Sequence, residues 1–231
     1  MMALKVWGNG IVRVSTGDRN PFTTTLENVA ETLLQFQQAR GTQSSGSLDI
    51  GVFGQPGGFV RFKRTELWVS QHFPVKVAEL WCEMRQNIAN VAGWKDVLIE
   101  SKDERIHKVR VQVPQRVWAV KLAYADLTRG ILLNGCKAAR VQQNGALRWL
   151  SVGNVHETGS ICWPVRIGRL RVMSLAEVDH AWMSSQFNMD LNGEGGWMTR
   201  SNPTVVTTPQ GSAVGGFNSR REVWGMNLEN M

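Results

Sequence analysis

The amino-acid sequence predicts an α+β fold. In this fold a mixed, mostly antiparallel β-sheet packs against two amphipathic helices, and a C-terminal extension and a flexible tail follow. Residues 25–39 carry apolar side chains at helical spacing. Several later segments alternate apolar and polar residues, which is typical of half-buried strands. Asn144-Gly145 lies between two apolar runs, and this arrangement predicts a β-hairpin.

The N-terminal segment predicts a strand, a turn and the first helix. Residues 4–14 are apolar at alternate positions and are interrupted at Gly8-Asn9-Gly10, a turn signal. The helix is expected from about Thr25 to Ala39, with Thr24 as its N-cap and Glu27 completing a capping box.

The next part of the chain predicts strands around a Gly- and Pro-rich loop. A short strand is expected at residues 48–53 and a longer half-buried strand at residues 59–73. The intervening segment is either an exposed hydrophobic loop or a hairpin with buried flanks. This candidate loop consists of Phe53, Gly54, Gln55, Pro56, Gly57, Gly58 and Phe59.

The middle of the chain predicts the second helix and the centre of the sheet. Apolar residues at positions such as Leu80, Met84 and Ile88 indicate a helix over residues 75–91. Strands are expected at residues 109–113 and 116–125, and the second is the most apolar and therefore predicted to be central.

The C-terminal part predicts less regular structure. Pro164 and Gly168 interrupt residues 160–175, whereas residues 175–187 suit a helix capped by Ser174 with Glu177 three positions later. We therefore divide the chain into a core domain (1–155), a basic and apolar extension packed on it (156–200) and a flexible tail (201–231).

The positive charge is concentrated in the middle of the chain. Lys and Arg outnumber Asp and Glu by 12 to 7 in residues 61–121 and by 7 to 2 in residues 122–175, whereas residues 176–231 carry 3 basic and 6 acidic residues. This excess indicates an anionic partner such as a membrane surface or nucleic acid. Two basic groups are the candidate binding patch: Arg61, Lys63 and Arg64, and Arg166, Arg169 and Arg171.

The sequence offers no motif for catalysis or for a cofactor. No HExxH, CxxC, GxSxG or GxxxxGK pattern occurs. The three cysteines, Cys82, Cys136 and Cys162, are predicted to be buried free thiols in a reducing compartment, because their number is odd and no CxxC occurs. We expect a non-enzymatic protein without cofactor or metal, and no run of apolar residues is long enough to cross a membrane.

Four segments in order resemble the globular domain of rhabdovirus matrix proteins over roughly residues 4–155. The strand Val12-Arg13-Val14-Ser15 precedes an Asn20-Pro21-Phe22-Thr23-Thr24 turn and a helix with Asn28-Val29-Ala30, as in that family. Residues 48–54 resemble its next short strand and Gly turn. Residues 117–126, which end in Tyr124-Ala125-Asp126, resemble a later strand, and residues 141–150 resemble the final hairpin.

The resemblance implies a viral matrix protein that performs no chemistry. Such a protein would bridge the inner leaflet of an anionic membrane and the viral ribonucleoprotein, self-associate during assembly and budding, and contact the viral glycoprotein tail. It would be found in the virion under the envelope, in the host cytoplasm and at the inner face of the host membrane. Whether it also enters the host nucleus is left open by the resemblance. The alternative is an RNA-binding viral movement or capsid-type protein, which the basic middle of the chain suits equally.

Overall fold

The computed structural model describes residues 2–6, 11–16, 19–25, 28–29, 47–48, 50–52, 58–63, 66–121, 124–126, 130–144, 146–188, 191, 198 and 201–215. Four β-sheets account for most of the regular structure in these residues, and nearly all strand pairs are antiparallel. The predicted predominance of antiparallel sheet is therefore confirmed.

Sheet A is formed by N-terminal strands in the order β3-β2-β1-β5. Its strands are β1 (Met2–Val6), β2 (Ile11–Thr16), β3 (Arg19–Thr25) and β5 (Ile50–Val52). The predicted strand over residues 4–14 is the β1–β2 hairpin. Asn28 and Val29 are helical, and the amide of Asn28 lies 3.3 Å from the Thr25 hydroxyl. A bond from an amide three residues on is the one an N-cap accepts, so it places the cap at Thr25, one residue after the predicted Thr24. The rest of the predicted first helix lies outside the described residues.

Sheet B is the largest sheet, with six strands in the order β15-β14-β11-β7-β6-β4. Its strands are β4 (Ser47–Leu48), β6 (Gly58–Lys63), β7 (Glu66–Phe73), β11 (Arg116–Lys121), β14 (Cys136–Val141) and β15 (Leu147–Arg148). β11 is central, as predicted, and its first five residues are buried. The hairpin predicted at Asn144-Gly145 is confirmed as β14–β15. The single strand predicted at residues 59–73 is wrong, because β6 and β7 form an antiparallel pair.

Sheet C contains β17-β18-β10-β8, with β9 also paired to β10. Its strands are β8 (Lys76–Glu83), β9 (Leu98–Ser101), β10 (Ile106–Val113), β17 (Thr204–Thr208) and β18 (Gly211–Gly215). The second helix predicted at residues 75–91 is wrong. Leu80 and Cys82 are buried, whereas Glu79 is exposed and Trp81 half-buried, and this period of two suits pairing with β10.

The predicted flexible tail is wrong for residues 204–215. Val205 packs against the main core, and Ala213 and Val214 are buried, so these residues gain apolar contacts that a tail would lack. Residues after 215 lie outside the described part. The other domain boundaries stay predictions.

Sheet D is small and joins the middle of the chain to the C-terminal part. It consists of β12 (Ala125–Asp126), β13 (Gly130–Leu132) and β16 (Arg171–Val172), and a 3₁₀ turn (Leu133–Gly135) follows β13. Two α-helices are described around β16, α1 (Val165–Gly168) and α2 (Leu175–Met183). The helix predicted at residues 175–187 is confirmed for the nine residues of α2, with Ser174 as its cap.

The main core lies between sheets B and C and helix α2. Trp118 of β11 meets Trp182 of α2 edge to face at 5.7 Å between ring centroids, and Trp182 meets Phe187 in the same way at 5.1 Å. A smaller apolar cluster lies on the other face of sheet B and includes Trp68, Val117 and Ala119. Both faces of β11 are therefore buried, which explains its continuous apolar sequence.

Candidate functional site

Residues 163–170 are fixed to the 3₁₀ turn by hydrogen bonds. The indole of Trp163 donates to the carbonyl of Leu133 at 3.1 Å, and the amide of Leu133 donates to the carbonyl of Leu170 at 3.1 Å. Between these points Pro164 opens the single turn of α1, and its carbonyl accepts from the amide of Gly168 at 2.9 Å. The segment is thus held in place at both ends.

The following residues are fixed by pairing between β16 and β13. Val172 is opposite Ile131, and a guanidinium nitrogen of Arg171 donates to the carbonyl of Gly130 at 2.7 Å. Gly130 has a φ of +88°, and a Cβ at this position would lie 2.5 Å from the carbonyl oxygen of Val172. Only glycine fits both the backbone conformation and the close approach.

The segment turns some apolar residues inward and leaves others in solvent. Ile167 and Val172 are half-buried and pack against the main core. Val165, Leu170 and Met173 are 73%, 57% and 62% exposed, and they are the three most exposed large hydrophobic residues among those whose side-chain burial the structure describes. The three lie within nine consecutive positions of the chain, and groups of exposed apolar side chains are typical of surfaces that bind a membrane or a partner.

Three exposed arginines, Arg166, Arg169 and Arg171, lie among these apolar residues. We call the surface formed by Val165, Arg166, Arg169, Leu170, Arg171 and Met173 the basic-apolar surface. No acidic residue occurs between positions 162 and 173. The nearest carboxylate along the chain, that of Glu177, accepts from the amide of Met173 at 2.5 Å at the start of α2. The arrangement can attract an anionic surface and insert apolar side chains into it.

The other predicted basic group lies in a different sheet. Arg61 and Lys63 belong to β6 of sheet B, whereas Arg64 and residues 53–57 of the predicted loop lie outside the described residues. Gly58 and Phe59 are strand residues of β6 that pair with β7, and the choice between an exposed loop and a hairpin with buried flanks stays a prediction. The structure therefore does not join the two groups in one sheet.

The register of the β6–β7 pair places Arg61 opposite Trp68. The amino groups of Lys121 and Lys137 lie 5.6 and 5.9 Å from the centroid of the Trp68 ring, within the range of cation–π attraction. Neither lysine belongs to the basic groups predicted from the sequence. Strand register could have identified them, because Lys121 also stands opposite Trp68 in the adjacent strand β11.

The excess of positive charge in residues 61–121 is partly offset on the outer face of sheet C. Glu79 lies 3.4 Å from Lys108 and 3.7 Å from Arg110, and Glu83 lies 3.2 Å from Arg105. The amino group of Lys102 stacks 4.0 Å from the Trp81 ring centroid. These basic residues have intramolecular partners, which makes them weaker candidates for an anionic ligand than the arginines of the basic-apolar surface.

Ser101 and His107 form a contact that sequence analysis also missed. The Ser101 hydroxyl lies 2.8 Å from Nδ1 of the buried His107, and Nε2 lies 3.1 Å from the carbonyl of Glu104. Because a carbonyl only accepts, Nε2 carries the proton, and in a neutral imidazole Ser101 donates to Nδ1. The carboxylate of Asp103 accepts from the amides of Arg105 and Ile106, both at 2.7 Å. These contacts close the turn between β9 and β10.

The three cysteines are free thiols, as predicted, but the predicted burial is wrong for Cys162. Cys82 and Cys136 are buried and Cys162 is exposed. Burial raises the pKa of both buried thiols, and that of Cys136 reaches about 12. Among the residues that the structure describes, no group of three or more His, Cys, Asp or Glu side chains could hold a metal ion.

Helices long and apolar enough to cross a membrane do not occur in the described ranges. Comparisons with protein-family models, with curated proteins and with solved structures found no match.

Proposed function

We propose that this chain is a non-enzymatic, matrix-like structural protein that attaches peripherally to an anionic membrane through the basic-apolar surface. The observation that carries the proposal is that Val165, Leu170 and Met173, all more than half exposed, share residues 165–173 with three exposed arginines. In this proposal the sheets and the helical residues 28–29 belong to an α+β core of the matrix type. Its remaining partners are the viral ribonucleoprotein, other copies of the chain and the viral glycoprotein tail.

Two physical contributions support membrane attachment at this surface. A basic residue near an anionic leaflet contributes about 1 kcal/mol, so the three arginines contribute about 3 kcal/mol. Insertion of Val165, Leu170 and Met173 adds the hydrophobic contribution of their exposed area. Because the backbone is already fixed to Leu133 and Gly130, little conformational entropy is lost on binding. Together these contributions favour reversible binding without a spanning helix.

Vesicle flotation tests the proposal directly. We expect wild-type protein to float with phosphatidylserine-containing vesicles at ~0.1 M salt, and to float much less at ~0.5 M salt, where charges are screened. The double variant Arg166→Glu/Arg169→Glu should lose this binding. Arg171 is left unchanged because it also supports Gly130. Val165→Ser/Leu170→Ser should weaken binding while leaving the charge intact.

The matched control is Arg85→Glu/Lys95→Glu, which changes the net charge equally at two exposed positions away from this surface. It should float like the wild type. Retained flotation of the Arg166/Arg169 variant, or equal wild-type flotation on purely neutral vesicles, would overturn the membrane proposal. The variant Arg61→Glu/Lys63→Glu/Arg64→Glu tests the first basic group separately: lost flotation would add this group to the membrane contact, and unchanged flotation would exclude it.

Filter binding with single-stranded RNA distinguishes the alternative function. The matrix-like proposal expects weak RNA binding that is the same for all these variants. Tight RNA binding with a steep salt dependence, lost on changing Arg166 and Arg169, would replace it with the movement- or capsid-type function.

A further inference from the structure

The outer edge of sheet C is formed by strand β17. The strand order of the sheet is β17-β18-β10-β8. β17 pairs antiparallel with β18, so that Thr204 is opposite Gly215 at one end and Thr208 is opposite Gly211 at the other. Within the described part of the chain, β17 has no second strand partner. An edge strand points alternate amide and carbonyl groups away from its sheet, and these groups are complementary to another strand.

The composition of β17 does not protect this edge. All five residues, Thr204 to Thr208, are β-branched, and none of residues 201–215 is charged. Natural edge strands are commonly blocked by lysines, by prolines within the strand or by bulges. Here the prolines stand just outside it, at Pro203 and Pro209. They limit any added pairing to the five residues between them.

We propose that β17 pairs antiparallel with β17 of a second copy of this chain, across a two-fold axis at Val206. In this register Thr204 faces Thr208 of the second copy, and Val205 faces Thr207. The strand is therefore self-complementary, and the absence of charge means that symmetric pairing brings no like charges together. The result is one sheet that continues through both copies.

The side chains of β17 are compatible with this pairing. Val205 packs on the main core, so it keeps the strand in place. Val206 is on the opposite face, and its two methyl groups would lie 3.1 Å from a Cβ added at Gly215. Thr204 and Thr207 are exposed. This inference deepens the self-association part of the proposed function, and it does not depend on the basic-apolar surface.

A charge-swap experiment tests the pairing and its register. Because Val206 would face itself, Val206→Lys alone and Val206→Glu alone each place like charges opposite one another. We expect the wild type to have twice the 25.8 kDa mass of the chain by light scattering, and each variant to have the mass of one chain. An equimolar mixture of the two variants should restore the dimer. Gln210→Lys, at the exposed tip of the same hairpin, is the control and should remain dimeric.

Three outcomes would overturn the inference: a monomeric wild type at all concentrations, dimers of both single variants, or a mixture that stays monomeric although each variant is folded by circular dichroism. If a Val206 variant does not fold, Thr204→Lys/Thr207→Lys replaces it at two exposed positions and should also give monomers. Vesicle flotation of the same monomeric variants distinguishes this test from the test of membrane binding, because the variants keep the basic-apolar surface unchanged.

Discussion

Asp179 of α2 accepts hydrogen bonds from two nitrogens of Arg116 in β11, at 2.6 Å from Nε and 2.5 Å from Nη2. Both residues are buried, and the indole of Trp118 donates to the same carboxylate at 2.6 Å. The remaining guanidinium nitrogen of Arg116 lies 3.2 Å from the carbonyl of Pro74 and 3.3 Å from that of Pro114. The ion pair is thus well supplied with hydrogen bonds, and it fixes α2 against the centre of sheet B.

Replacing Asp179 by Ala should destabilise the fold strongly. The change leaves a buried guanidinium without its counter-charge, which typically costs roughly 3–5 kcal/mol in the free energy of unfolding. Urea denaturation measures the difference. Asp96→Ala, at an exposed position, is the control and should leave the midpoint nearly unchanged. A loss below about 1 kcal/mol for Asp179→Ala would mean that the pair does not hold α2 in place.

The cap of α2 predicts a smaller effect. The Ser174 hydroxyl accepts from the amide of Glu177 at 3.2 Å, so Ser174→Ala should lower the free energy of unfolding by about 1 kcal/mol. Ser184→Ala, at the exposed C-terminal end of the same helix, is the matched control. Equal effects of the two substitutions in thermal denaturation would contradict the capping role.

The thiols should react in two classes. Exposed Cys162 should react with a chromogenic disulfide reagent in the native protein, whereas Cys82 and Cys136 should react only on unfolding. Cys162→Ser should remove the fast phase and leave the slow one, and any fast reaction left in this variant would contradict the burial of the other two.

The raised pKa of Cys136 also affects stability at alkaline pH. Its folded value of about 12 lies above the ordinary 9.0, so its contribution is complete below pH 9.0 and is lost as the pH rises towards 12. Cys136→Ala should therefore show a shallower alkaline loss of stability than the wild type.

Asp103 predicts a change at acidic pH. The amides of Arg105 and Ile106 lower the pKa of its carboxyl group. The stabilisation is therefore present above the unfolded pKa of about 4 and is lost as the pH falls through the lower folded value. The stability difference between the wild type and Asp103→Asn should be constant from about pH 7 to 5 and disappear in stronger acid. A difference that instead grows on acidification would contradict this sign, and Asp96→Asn is the control.

Short sequence motifs correctly predicted those elements whose structure depends on residues adjacent in the chain. Asn144-Gly145 predicted the β14–β15 hairpin, and Ser174 with Glu177 predicted the start of α2. The apolar residues in and after β8 led to the wrong prediction, because Leu80, Met84 and Ile88 are four positions apart and fit a helix as well as a strand followed by a turn. Pairing with β10 decides between the two structures, and β10 begins more than twenty residues later, after β9. Such pairing is not readable from local periodicity.

The candidate site was predicted only in part. Arg166, Arg169 and Arg171 were identified by their charge, but their apolar neighbours resemble core residues in the sequence. Which of these side chains face solvent depends on the β13–β16 pairing and on the fixation of Leu170 to Leu133. Both interactions join residues that are distant in the chain, so residue type alone could not separate exposed Val165 from half-buried Ile167.

The parallel pairing of Val111 with Val214 has a consequence for biosynthesis. Strand β9 pairs with residues 107–109 on this side of β10 and precedes them in the chain, whereas the part around Val111 stays open until β18 has been translated. Because contacts between distant segments form slowly, the nascent protein passes through a stage in which an apolar strand edge is accessible. Chaperone binding or aggregation during synthesis should therefore depend on how soon the hairpin of β17 and β18 follows.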